Sequence, residues 1–161
     1  MPDPFTVAKE YGPGRGPGPK TRSEQGLSEL LGSQRLGVLA STKKDGHPHL
    51  ATMSYVWDPE SRIIRITSVD GRIKTRHFRR DPRAALHVTT PDYLAFAVAE
   101  GTAEVSPPST VPGDATGREL LAMHPLERAE DDAAYLKNMV EDHRVVIRLS
   151  VTHLYGGGLD A

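Results

Sequence analysis

The sequence predicts a mainly β fold: a six-stranded antiparallel barrel, closed or partly closed, with a few helices packed outside it. Three observations carry this. Residues 35–68 hold three apolar, β-branched runs separated only by tight turns. Three further strand-like runs follow at 83–89, 94–106 and 144–149. Helical periodicity is confined to short stretches between them. Neighbouring strands joined by tight turns are antiparallel, because a parallel pair needs a long crossover, and a barrel hides the edges that an open sheet would expose.

The elements follow in order. Nine of the first twenty residues are Gly or Pro, including GPGRGPGP at 12–19. Such a run sustains neither helix nor ladder, so residues 1–20 read as a flexible or extended arm and 21–161 as the folded domain. Thr21 and Glu24 have capping-box spacing, and Leu27, Leu30 and Leu31 form one apolar helix face that Gly32 would close. Arg35–Thr42 is a buried strand, and Asp45-Gly46 a hairpin turn. His47–Trp57 is a long second strand, 58–61 a turn, and Arg62–Ser68 a third strand, giving a three-stranded meander. The basic segment 71–80 reads as a short helix. Arg83–Thr89 and Leu94–Ser106 are strands four and five, with Gly101 at a bulge. Helices are expected near 114–123 and 126–141. In the last strand, Arg144–Leu149, Val145, Ile147 and Leu149 face one way and Arg144, Val146 and Arg148 the other.

Composition narrows the function. The chain of 161 residues has no cysteine, which excludes disulfide scaffolds, zinc–thiolate sites, iron–sulfur clusters and a cysteine nucleophile. No stretch approaches the ~20 apolar residues of a membrane span, and the first residues lack an apolar signal core. The expectation is a cytoplasmic protein with no membrane partner. A net charge of −1 gives no general attraction to nucleic acid, and none is expected as a partner. Charge is nonetheless uneven. Arg72, Lys74, Arg76, Arg79, Arg80 and Arg83 stand against Asp81, a net +5 within residues 72–83.

That stretch begins as strand, glycine turn and basic helix: Thr67-Ser68-Val69-Asp70-Gly71-Arg72-Ile73-Lys74-Thr75. A helix N-terminus offers unpaired N–H groups and partial positive charge. Arg72 and Lys74 add full charges, and Thr67, Ser68 and Thr75 add hydroxyls, so the segment can cradle one phosphate or a similar anion. The same residues also suit a solvated basic helix paired with the acidic stretch 127–132. There is no GxxxxGK[ST], GxGxxG or GxSxG. His47 and His49 share a strand face but lack a third ligand, so no metal site is assigned. Tyr55 and Trp57 share a face as core or interface aromatics. No acid–base constellation stands out, and no catalytic side chain is assigned. A binder of an anionic ligand with no such machinery fits an enzyme whose cofactor carries the chemistry.

Four segments carry a resemblance: LGVLASTKKDGHPHLATMSYVWD (36–58), ITSVDGRIKTRHFRRDPRAALHV (66–88), AFAVAEGTAEVSPP (95–108) and VEDHRVVIRLSVTHLYG (140–156). Over residues 24–157 the chain resembles the split-β-barrel flavin and deazaflavin oxidoreductases related to pyridoxamine 5′-phosphate oxidase. It looks most like the actinobacterial branch that uses the deazaflavin coenzyme F420. The resemblance implies a split barrel of the FMN-binding type and a homodimer with two cofactor sites between subunits. It implies that Arg72, Ile73, Lys74 and Thr75 hold the cofactor phosphate, and that His49, Thr52, Thr67 and Ser68 lie along the ring system. Close relatives often carry Gln and Asn where this chain has His49 and Thr52. The implied reaction is hydride transfer from reduced F420 to an electron-poor double bond of a small acceptor: a bilin, enone, lactone or quinone. The alternatives are an FMN-dependent oxidoreductase on the same fold, and a non-catalytic protein that binds F420, haem or a bilin.

Overall fold

Residues 20–123 and 131–159 are described by the structure, a computed structural model. Its elements are β1 (Lys20–Thr21), α1 (Glu24–Ser33), β2 (Leu36–Thr42), β3 (Pro48–Ser54), β4 (Val56–Asp58), β5 (Ile63–Val69), α2 (Ile73–Arg80), β6 (Arg83–Thr89), β7 (Ala95–Val105), α3 (Ala115–Met123), α4 (Asp132–Glu141) and β8 (Arg144–Gly158). The fold is mainly β, an antiparallel sheet curled into a half-barrel with flanking helices. The described residues form eight strands rather than the expected six. Apart from Lys20, the Gly/Pro-rich arm lies outside the described residues.

The sheet runs β3-β2-β6-β7-β8-β5-β4, with β1 added beside β8. β3 and β4 are neighbours in the chain yet stand at opposite ends of this path. The expected meander is therefore corrected. The stretch 47–57 pairs with β2 through its first half and with β5 through its last three residues. The break falls at Tyr55, whose N–H donates to the Arg35 carbonyl and whose hydroxyl donates to Leu31 at 2.5 Å. Tyr55 ties the crossing chain to α1, and β3 also touches β5, which brings the two ends of the sheet together.

α1 starts two residues later than expected. Ser23, not Thr21, is the N-cap, accepting from the Gly26 N–H, while Thr21 pairs with Gly157 in β1. Gly32 does not end the helix, which runs through Ser33. Leu27, Leu30 and Leu31 enter the main core with Leu39, Ile64, Ile66, Leu86 and Leu149, each buried leucine worth about 1.5–3 kcal/mol. Trp57 donates to Ser28 and also packs on that core.

β8 is the longest departure from expectation. It continues nine residues past Leu149 to Gly158 because β7 supplies a partner along its length. Gly101 sits at the bulge, where the register slips between Glu100 and Gly101. A Cβ there would lie 1.8 Å from the Ser150 carbonyl oxygen, so glycine is required by the close approach of β8. Val146, expected on the polar face, is buried with Leu120 and Met123 under α3, with Tyr135 and Met139 of α4 packed against the cluster. Arg65 and Arg148 on this side both grip Glu119 of α3 (Nε–Oε1 2.9 and 2.8 Å). α2 contributes Phe78 to the main core. Among the described residues no helix is long and apolar enough to cross a membrane, and no group of three or more metal-ligating side chains is found.

Candidate functional site

The site is built at one rim of the half-barrel, where β5 ends, α2 sits and β6 begins. Gly71 turns the chain with φ +79°, a left-handed value that L side chains avoid. Asp70 is fixed by its N–H to the His143 carbonyl. α2 then starts with Arg72 as N-cap, without a side-chain hydrogen bond to cap it and without an acidic residue in its first turn. The Thr75 hydroxyl is turned back onto the Arg72 carbonyl at 2.6 Å, and Thr75 is fully buried. The N–H groups of Ile73 and Lys74, on the exposed side of this turn, are left for an outside acceptor.

The six cations of this stretch divide into two sets. Arg79 pairs with Asp70 at 2.7 Å, Arg83 pairs with Asp81 at 2.6 Å, and Arg80 donates to the Thr42 carbonyl at 2.5 Å. Arg83 holds the Asp81 carboxyl down to about 2. Arg72, Lys74 and Arg76 have no carboxylate partner among the described residues. Partial burial, and then the neighbouring Arg72 charge, push the Lys74 ammonium below the usual lysine range. A half-buried lysine beside an arginine with no counter-ion is a place where an anion is stabilised. The alternative partner, the acidic stretch 127–132, lies largely outside the described residues.

The structure brings Arg72, Ile73, Lys74 and Thr75 together on one turn, with Thr67 and Ser68 on the strand that leads into it. Strand parity divides the four residues expected along a ring. His49 and Ser68 face inward, Ser68 being only 5% exposed. Thr52 and Thr67 face the outer side, Thr52 beside Val38 and Thr67 beside Val146. His49 is joined to α2 by an edge contact with His77, ring centroids 5.2 Å apart.

His77 itself is the residue that sequence reasoning passed over. It is 9% exposed, and its Nδ1 lies 2.8 Å from the Ser41 hydroxyl. Burial first, then the charges of His49, Arg80, Arg76 and Lys43, hold its pKa below the ordinary histidine value. Only the pairing of β2 with β3 and the docking of α2 create this cluster, so nothing local in the sequence signals it. A groove of about 440 Å³ opens beside the same rim, on the outer side of the sheet, between Thr42, Pro48, Arg83, Ala85 and Glu100.

A sequence profile of the pyridoxamine 5′-phosphate oxidase family matches residues 23–156. Among solved structures, an F420 reductase is 26% identical, with 82% of this chain and 98% of that chain covered and a TM-score of 0.60. A conserved protein from Mycobacterium tuberculosis is 24% identical over 85% of both chains, with a TM-score of 0.64. An FAD-binding protein from Mesorhizobium loti is 21% identical, with 88% and 99% covered and a TM-score of 0.63. The last two are likenesses of fold.

Proposed function

The chain belongs to the pyridoxamine 5′-phosphate oxidase family, and on that premise we propose that it is an oxidoreductase that uses reduced coenzyme F420. The acceptor is a small molecule with an electron-poor double bond, of the bilin, enone, lactone or quinone type. One observation carries the reading: Arg72 and Lys74 stand at the uncapped start of α2 with no carboxylate partner among the described residues. The similar F420 reductase favours deazaflavin over flavin.

The residues present fit a phosphate-bearing cofactor. Arg72 grips phosphate oxygens through its planar fork, and Lys74 supplies a point charge. The Ile73 N–H, at the exposed start of α2, completes the cradle, and Thr75, fully buried, holds the turn from beneath through its bond to the Arg72 carbonyl. Thr52 and Thr67 reach the ring from the outer side of the sheet, with Ser68 behind them and His49 at the rim. F420 supplies hydride transfer when bound. The protein's share is to hold donor and acceptor in contact and to exclude water. No side chain is assigned as proton donor.

The protein acts as a homodimer in this reading. Leu36 and Leu50 are 62% and 63% exposed on adjacent strands, a surface suited to a second copy. The second reading is an FMN-dependent oxidoreductase, favoured by the FAD-binding structural neighbour and by the phosphate that both cofactors carry.

Side-by-side titration of the purified protein with F420 and FMN tests this. Tighter binding of F420, followed by F420-dependent reduction in an acceptor screen, is expected. A yellow protein with flavin absorption and no affinity for F420 would overturn it.

A further inference from the structure

α2 differs from the other described helices in how it begins. Each of those closes on a side chain three residues back in the chain: the Gly26 N–H on Ser23 at 3.1 Å, Gly117 on Asp114 at 2.8 Å and Ala134 on Asp131 at 2.7 Å. The turn at Asp58 does the same, accepting the Ser61 N–H at 3.3 Å. At the head of α2 the equivalent acceptor exists in the sequence, since Asp70 stands three residues before Ile73. Its carboxylate does not take that N–H. Neither Ile73 nor Lys74 has a backbone N–H partner among the described residues. Asp70 is held by Arg79 instead, Oδ1 to Nη2 2.7 Å.

Arg79 makes this bond by reaching back along the helix, the direction in which helical side chains tilt. The Asp70 backbone is anchored as well: its N–H donates to the His143 carbonyl at 2.9 Å, and the Arg72 N–H closes the turn on Val69 at 3.3 Å. Asp142, beside His143 at this junction, is paired with Arg144 at 3.4 Å. Asp70 is the nearest carboxylate along the chain to Arg72 and Lys74. Its pair with Arg79 is 36% and 44% exposed on the two sides, so it adds little to stability. Its consequence lies in where it holds the charge. A released Asp70 would be drawn to the N–H groups and positive end of α2, and to the Arg72 and Lys74 charges. It would then take the place of the phosphate, and a ligand would have to displace it.

We propose that Arg79 is a positioning residue that withholds Asp70 from the phosphate cradle and so keeps the start of α2 open to the cofactor. The inference rests on the cradle reading above and adds to it an acidic competitor carried by the chain itself. Arg79 acts through Asp70 and needs no contact with the ligand.

Arg79→Met in the full chain keeps the aliphatic stem and removes the charge. Affinity for F420 and FMN, titrated side by side, is expected to fall by about 2- to 30-fold, the span of a side-chain helix cap. Adding Asp70→Ala should restore it; alanine is used because asparagine would cap as well. Arg79→Lys, which keeps a partner for Asp70, should stay near wild type. Arg83→Met is the charge control. It removes the same charge but releases Asp81 at the far end of α2, and should change affinity by no more than about 2-fold. In the ligand-free Arg79→Met protein, the Ile73 and Lys74 amide protons should move downfield as they gain an acceptor, and Asp70→Ala should return them. A loss of affinity that Asp70→Ala leaves uncorrected makes Arg79 a ligand contact or a structural residue, and overturns the proposal. So does an equal loss from Arg83→Met, which is the effect of net charge alone. Amide protons unmoved in Arg79→Met overturn it as well. Wild-type protein that binds neither cofactor refutes the cofactor reading, and the amide result then upholds or overturns the withholding of Asp70 by itself.

Discussion

Replacing Lys74 by alanine separates binding from folding at this site. The ammonium is half-buried and beside Arg72, without a carboxylate partner among the described residues. In the free protein it therefore contributes repulsion and desolvation, and removing it should leave stability unchanged or slightly raised. With a phosphate in the cradle the same ammonium makes a hydrogen bond between charged groups, worth about 1.5–3 kcal/mol. Lys74→Ala should then weaken F420 binding by ~10- to ~150-fold, at 1.4 kcal/mol per factor of ten. The wild-type lysine should lose its proton below the ordinary lysine range when free, and bound phosphate should push that loss to higher pH. The assay is a fluorescence titration with F420, paired with urea unfolding of the free variant. Unchanged affinity, with the variant folded, would refute the assignment of the phosphate to α2. Equal losses of affinity and stability would show Lys74 to be a structural residue instead.

Other outcomes follow from the packing. Gly101→Ala drives a Cβ to 1.8 Å from backbone oxygen, and should cost about 1–3 kcal/mol or more, read as a drop in Tm of ~2–4 °C per kcal/mol. Glu119→Gln weakens the charge-assisted bonds to Arg65 and Arg148 that fasten α3 to β5 and β8, and should destabilise by about 1–3 kcal/mol in urea unfolding. Those arginines hold the Glu119 carboxyl below its usual range, through hydrogen bonds from Arg148 first. Its contribution is therefore full above the unfolded glutamate pKa of ~4.3 and is lost as pH falls below it. His77 acts in a higher window. Because its folded pKa is depressed, the unfolded chain binds more protons, so stability should rise with pH and be full above ~6.5. It should fall as pH drops from there through the folded value. Urea midpoints across pH 5–8 should show this slope, and His77→Gln should flatten it.

Much of the fold was legible because its signals are local. The strand-like runs of β6 and β7, the leucine spacing of α1, the basic helix and the Gly101 bulge are each set within a few neighbouring residues, and period and turn chemistry act over that range. Arg72 and Lys74 were readable for the same reason: a glycine turn, a helix start and the charges are contiguous. What the sequence left open is every choice made between distant segments. Strand 47–57 has the composition of one continuous strand, and only the curl of the sheet divides it at Tyr55 between β2 and β5. β8 runs on to Gly158 because β7 is there to pair with it, whatever the low strand preference of its glycines. The pleat sent His49 and Ser68 inward and Thr52 and Thr67 outward, and packing placed His77 against Ser41, 36 residues away. Chain-local chemistry thus determined most of the elements and the run of positive charge at the start of α2. The tertiary structure alone decided which strands meet, which face each side chain takes, and which histidine is buried against Ser41, because those depend on partners that no local pattern encodes.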